Sequence, residues 1–304
     1  MPQAQFGVCA EPNLHALYLL CNALEGKDPL VRQALSRLPE MFERYSDHFS
    51  ESVVSGMVAV GANYWDTLFP DGRPAELRPF PAMQSEDRVA PSEPYDLFIQ
   101  VRSDRADVNH IIGTQICKML EGCVELVEQV KGFRYLDGRD LTGFVDGTEN
   151  PKGVHKQKVA LVGEEDTAFA GGSYIHIQRY RHNMQAWEKL EEQQQEDIIG
   201  RTKRENIEYA SDKKPPTCHI KRASVKDANG NSLEILRQSM PYGHMKVQGL
   251  FFISCAASPL PFELMLKSMI HGDEHGNHDH MLNYTEAETG AAFFAPSLSF
   301  LKRL

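Results

Sequence analysis

Gly143-Phe144-Val145-Asp146-Gly147-Thr148-Glu149-Asn150-Pro151 lies at the middle of a 304-residue chain. Its glycines permit backbone conformations or close approaches that a side chain would block, and Pro151 fixes the exit direction. Asp146 is thereby presented on a tightly specified loop. The same loop divides the chain into two stretches with one succession of elements, and that repetition decides the fold.

Before the loop, His15 to Leu24 is an apolar run of buried-strand length, and Asp28 to Phe49 sets Leu30, Val31, Ala34, Leu35, Leu38, Met41 and Phe42 at helical spacing. Ser52 to Val60 reads as the next strand. Phe69 to Pro94, rich in proline and charge, has the composition of an irregular excursion. Tyr95 to Val101 alternates, with Leu97, Ile99 and Val101 on one face, as a half-buried strand does. Asp107 to Leu120 is helical and Val124 to Tyr135 extended. The order βαββαβ is that of a ferredoxin-like unit, an antiparallel four-stranded sheet with two helices on one face.

After the loop the order recurs. Tyr174 to Tyr180 reads as a strand, Met184 to Ile199 as a charged helix, Leu233 to Arg237 and Leu250 to Cys255 as strands, and Pro261 to His271 as a helix, with a last strand near Ala291 to Ala295. The expected architecture is α+β, with two tandem ferredoxin-like units over residues 1–140 and 141–304. The repeat is one of pattern and not of sequence identity.

A formal net charge of -10 argues against general affinity for nucleic acid or anionic membranes. Cys9, Cys21, Cys117, Cys123, Cys218 and Cys255 form no CxxC pair or zinc-ligand spacing and read as free, mostly buried thiols. No window approaches 18 apolar residues, and the first residues show neither a secretory nor a twin-arginine pattern, so a cytoplasmic location is expected. Neither a lipidation signal nor a separate tail follows the last apolar segment, so targeting to a protein shell is not expected.

The GxxDG loop with Thr148-Glu149-Asn150-Pro151 resembles the signature of the dye-decolourising peroxidases, in particular their bacterial B-type members. Further segments agree in order: Gly171-Gly172-Ser173-Tyr174, Ile199-Gly200-Arg201-Thr202-Lys203, Cys218-His219-Ile220-Lys221-Arg222, Ile235 to Gly243, and Gly249-Leu250-Phe251-Phe252. The match is dense in the second half and rests on element order in the first.

The resemblance implies a haem b in the C-terminal unit with His219 as axial iron ligand, backed by a carboxylate from a later loop, here Asp279. It implies Asp146 as proton shuttle and Arg237 as charge stabiliser on the opposite haem face, with Ser239 ordering distal waters. Such a pair suits peroxide cleavage, in which one oxygen loses a proton and the other gains one while negative charge develops. Arg201 is implied near a haem propionate, with Lys203 and Arg204 as further candidates for that place, Gly147, Thr148 and Glu149 beside the cofactor, and Leu250 and Phe252 as its dry wall. Some relatives oxidise manganese near the position of Glu149.

The activity implied is reduction of hydrogen peroxide and oxidation of dyes, phenolics or other one-electron donors through a ferryl intermediate. Because an ordinary carboxyl titrates near pH 4, dye oxidation should be favoured in acid. Trp65, Trp187, Tyr174 and Tyr180 are possible relay stations to bulky donors, and a homo-oligomer, dimer or higher, is implied. The alternative within the same resemblance is haem storage or release of its iron. That role needs His219 but no peroxide-cleaving pair. One feature stands apart: His271, His275, His278 and His280 share ten residues with Asp273, Glu274 and Asp279, which suggests a divalent-metal loop, although the spacing fits no compact zinc template.

Overall fold

In the computed structural model, which describes residues 2–304, the first unit runs β1 (His15–Ala23), α1 (Asp28–His48), β2 (Ser55–Gly61), α2 (Trp65–Leu68), the hairpin β3 (Met83–Ser85) and β4 (Arg88–Ala90), β5 (Leu97–Ser103), α3 (Ala106–Met119) and β6 (Val124–Phe133). The second runs α4 (Gly153–Ala160), β7 (Ser173–His182), α5 (Met184–Trp187), α6 (Glu192–Ile199), α7 (His219–Ala223), β8 (Leu236–Arg237), β9 (Met240–His244), β10 (Val247–Ala256), α8 (Leu260–His271), β11 (Thr285–Ala295) and α9 (Leu298–Leu301). The fold is α+β with antiparallel sheet throughout.

Each unit has the ferredoxin-like strand order: β6-β1-β5-β2 in the first and β11-β7-β10-β9 in the second. The two sheets are joined at both edges. Strand β11 meets β2 through Phe293↔Gly61 and Phe294↔Val60, and β6 meets β9 through Gly132↔Tyr242. These junctions close eight strands into one barrel, with β8 in line with β9 and in the same register along one edge of β10. Closure shelters sheet edges that would otherwise be free to pair with another chain.

Side chains from both units fill the barrel. Tyr18, Leu20, Met57 and Phe98 pack with Ile175, Ile177, Phe251, Ile253 and Phe293. Tyr18 stacks on Phe251 with centroids 4.2 Å apart, a contact worth roughly 1 kcal/mol beyond its area. A second core lies under the helices, where Val31, Leu35 and Leu38 of α1 and Ile112 and Ile116 of α3 cover Leu17, Leu19 and Ile99, and Phe262, Leu266 and Ile270 of α8 join the same cluster.

Strand β5 is therefore buried at every position, with Gln100 and Arg102 inside, and not on one face only. The charged segment after β7 forms two helices, because the Glu191–Gln194 capping box starts α6 afresh. All six cysteines are free, four of them buried, and burial pushes every thiol pKa up.

Candidate active site

His219 opens α7 directly after its N-cap residue Cys218. Its Nδ1–H donates to Asp279 Oδ2 at 2.6 Å, while Asp279 Oδ1 accepts from the Met281 N–H at 2.9 Å. Both carboxylate oxygens are thus engaged, and Asp279 is fully buried. Burial opposes protonation of His219, but the adjacent carboxylate outweighs it and the histidine pKa is raised. The ring remains 31% exposed, and Nε2 makes no hydrogen bond to the described residues.

Asp279 is carried by the histidine-rich loop. Asp273 Oδ1 accepts from the N–H groups of His275 and Asn277 at 3.0 and 3.1 Å, and Arg222 of α7 reaches Asn277 O at 3.0 Å and Asp273 at 3.1 Å. Arg222 therefore fastens this loop to the helix that bears His219. The four histidines do not converge: among the described residues no three His, Cys, Asp or Glu side chains form a metal-holding group. The loop is a bracket for Asp279.

Asp146 and Arg237 lie near one another, with Oδ1 and Nη1 3.6 Å apart and both side chains about one quarter exposed. That separation is wider than a hydrogen bond. The charges of Arg237 and Asp146 also reach the His219 ring, with opposite effects on its protonation. Arg237 lies opposite Ser254 on β10, so Leu250, Phe252 and Ser254 share its sheet face, joined by Tyr180, Gln178 and His176 of β7. Leu250 and Phe252 are only partly buried. Gln178 Nε2, His176 Nδ1 and Ser254 Oγ on this face are buried without partners.

Ser239 is near but engaged: its Oγ accepts the Ile253 N–H at 3.2 Å. Arg201 is nearly buried and gives Nε to Asn206 Oδ1 at 2.8 Å and Nη2 to Asn206 O at 3.1 Å, while Nη1 lies 3.3 Å from Glu149 and 3.4 Å from Glu208. Asn206 also donates to Thr148 Oγ1 at 2.9 Å. Glu149 is two-thirds exposed. Gly147 adopts φ +73°, a left-handed conformation that favours glycine.

Several residues that hold the site were not singled out from the sequence. Asn150 binds the main chain of Arg237, and Arg139 Nη1 donates to Gly143 O at 2.8 Å. Asp140 pairs with buried His182 at 3.1 Å beneath the loop. Polar side chains that bind backbone look like surface residues in a sequence, and only the reach of the fold distinguishes them.

A carboxylate-backed histidine, with an acid–arginine pair close enough for both charges to act on it, is a set of groups suited to peroxide chemistry. Residues 5–134 match the family model described as Dyp-type peroxidase, N-terminal, and residues 137–300 that described as Dyp-type peroxidase, C-terminal. The dye-decolorizing peroxidase of Mycolicibacterium paratuberculosis is 38% identical over 94% of this chain and 81% of its own, and that of Mycobacterium tuberculosis 37% identical over 94% and 86%. Among solved structures, a dyp-type peroxidase protein from Shewanella oneidensis superposes with a TM-score of 0.98 at 56% identity over 100% of this chain and 99% of that one. A Rhodococcus jostii RHA1 DypB variant in complex with heme gives 0.94 at 37% over 99% and 98%. The chain belongs to the Dyp-type peroxidase family.

Proposed function

We propose that the chain is a haem-dependent peroxidase of the B-type, with haem b held in residues 141–304, His219 as the iron ligand and Asp146 and Arg237 acting on hydrogen peroxide. The observation that carries this reading is the Asp146–Arg237 pair, 3.6 Å apart, whose charges reach a histidine backed by buried Asp279. The residues fit the cofactor. A free Nε2 on an imidazole whose Nδ1–H donates to a carboxylate is a basic, oriented iron donor. Leu250 and Phe252, only partly buried on the sheet face of Arg237, give the apolar surface that such a ring would cover.

When bound, haem would supply the two-electron redox chemistry that reduces peroxide, with two one-electron donors restoring it. Asp146 takes a proton from one peroxide oxygen and returns it to the other, while Arg237 stabilises the negative charge that develops as the O–O bond breaks. Ser239, its oxygen held by the Ile253 N–H, keeps its own proton to orient a water beside that pair. The Nη1 edge of Arg201, bound only by long contacts to Glu149 and Glu208, is available to a haem propionate. Thr148 and Gly147 shape the loop at that edge, and exposed Glu149 is open to solvent there.

The B-type assignment is supported by likeness to R. jostii DypB. A homo-oligomer is the assembly implied by the family, and light scattering after gel filtration tests it. Among the described residues no helix is long and apolar enough to cross a membrane. Storage or iron release requires no Asp146–Arg237 pair, which favours the enzyme. The test is dye oxidation by haem-loaded protein with and without peroxide. Peroxide-dependent bleaching is expected, whereas haem binding without any such activity overturns the reading in favour of haem handling.

A further inference from the structure

The strand that carries Arg237 is gripped one residue at a time. Gln238 N–H donates to Ile253 O at 2.9 Å. The Gln238 side chain accepts from Arg102 and donates to the carbonyls of Val8 and Ala10 at 3.0 and 3.2 Å, and Ser239 Oγ accepts the Ile253 N–H. The N–H and C=O of Arg237 turn elsewhere, to the side-chain amide of Asn150. Arg237 N–H donates to Asn150 Oδ1 at 2.9 Å, and Asn150 Nδ2 donates to Arg237 O at 2.8 Å.

A primary amide carries one donor and one acceptor side by side, so Asn150 does for Arg237 what a residue of a neighbouring strand would do. Aspartate lacks the donor, and alanine lacks both groups. Asn150 is also tied to Asp146. Its own N–H donates to Gly147 O at 3.0 Å, closing a turn that starts one residue after Asp146, and Asp146 N–H donates to Gly138 O at 3.1 Å. The same turn presents the acid at one end and clamps the arginine strand at the other.

We propose that Asn150 is a positioning residue that sets the distance and angle between Asp146 and Arg237 for reaction with peroxide. The proposal rests on the assignment of those two residues to peroxide cleavage. Misplacement by about 1 Å far from the reacting atoms can cost roughly a hundredfold in rate, so loss of this clamp should be felt in the peroxide step and not in haem binding.

Two measurements test it together. In the haem-free protein, Asn150→Ala should accelerate hydrogen exchange at the Arg237 amide at least about tenfold while leaving the Gln238 amide, held by Ile253 O, unchanged. In the haem-loaded protein, the same substitution should lower the second-order rate constant for peroxide about tenfold to hundredfold with the Soret band in place. Asn150→Asp retains an acceptor for the Arg237 N–H, so that amide should stay protected and the peroxide rate should fall less than in the alanine variant. Unchanged exchange at Arg237 in Asn150→Ala, or a wild-type peroxide rate, overturns the proposal. Arg237→Leu measured alongside locates the fault: if it too reacts at the wild-type rate, the role assigned to Arg237 fails, and if it is slow while Asn150→Ala is not, the clamp alone fails.

Discussion

Asp279 Oδ2 lies 2.6 Å from His219 Nδ1, and this carboxylate has no solvent exposure at all. A buried carboxylate in that position fixes the tautomer, leaving Nε2 as the free donor, and strengthens it by charge. Asp279→Asn keeps the shape but removes the charge. It should weaken haem binding about tenfold to hundredfold, measured by titration of haem into the apoprotein. Wild-type affinity in this variant would mean that the carboxylate does not tune the ligand.

Asp146 and Arg237 are predicted to act at the peroxide step and not in holding haem. Asp146→Asn leaves a group of the same size opposite Arg237 but one that cannot take a proton. Its second-order rate constant with peroxide should fall by a factor of about 10² to 10⁴, and that of Arg237→Leu by about 10² to 10³. Stopped-flow absorbance of the haem-loaded variants reads both, and rates within a factor of about three of wild type would refute the pair's assignment.

Gly147 has φ +73°, and a Cβ added there would lie 3.3 Å from Asn150 Nδ2. Gly26 has nearly the same φ, +71°, with nothing within 4 Å of its added Cβ. Alanine at either site meets left-handed strain of about 1–2 kcal/mol. Both variants should therefore lose similar stability in urea, but only Gly147→Ala should slow the reaction with peroxide. Equal peroxide rates in the two would show that the turn tolerates a push on the Asn150 amide.

His176 stacks on Phe262 at 4.2 Å with an interplanar angle of 15°. Burial, helped by the charge of Arg78, pushes its pKa down to about 3. The folded chain therefore keeps this ring neutral while the unfolded chain takes up a proton below pH 6.5, so stability is lost as pH falls from about 6.5 towards 3. Between pH 7 and 4.5 the group's share is roughly 2–3 kcal/mol. In His176→Phe, the decline in urea-unfolding free energy of the apoprotein over that interval should be shallower by about this amount. An identical decline would indicate that His176 is charged in the folded state.

The alternating strands, the amphipathic α1 and the Gly143–Pro151 loop are local patterns, and they made both ferredoxin-like units legible in the sequence. Closure into a barrel was not, because it rests on two pairs between β11 and β2 and one between β6 and β9, which leave no periodicity. Strand β9 was missed because Pro241 and Gly243 interrupt its pattern. The expected strand from Leu233 shrank to Leu236–Arg237: the Leu233 N–H turns to Val225 O, and pairing with β10 begins only at Leu236.

In the site, His219, Asp279, Asp146 and Arg237 could be named because their residue types match a known motif. The structure adds why they stand together. Arg222 and Asp273 fold the histidine-rich loop so that Asp279 reaches His219, which explains a segment whose composition suggested a metal site. Asn150 and Asn206 act through their amides on main chain and loop, a use of asparagine that sequence does not separate from an ordinary turn.

The most direct test of the account is a haem titration of the apoprotein beside His219→Ala, followed by one equivalent of hydrogen peroxide, with the Soret region recorded throughout. Wild type should bind one haem per chain with a Soret band that changes promptly on adding peroxide, and His219→Ala should bind weakly or with a displaced band. A His219→Ala protein whose haem affinity, Soret position and peroxide response all equal those of wild type would contradict the central assignment.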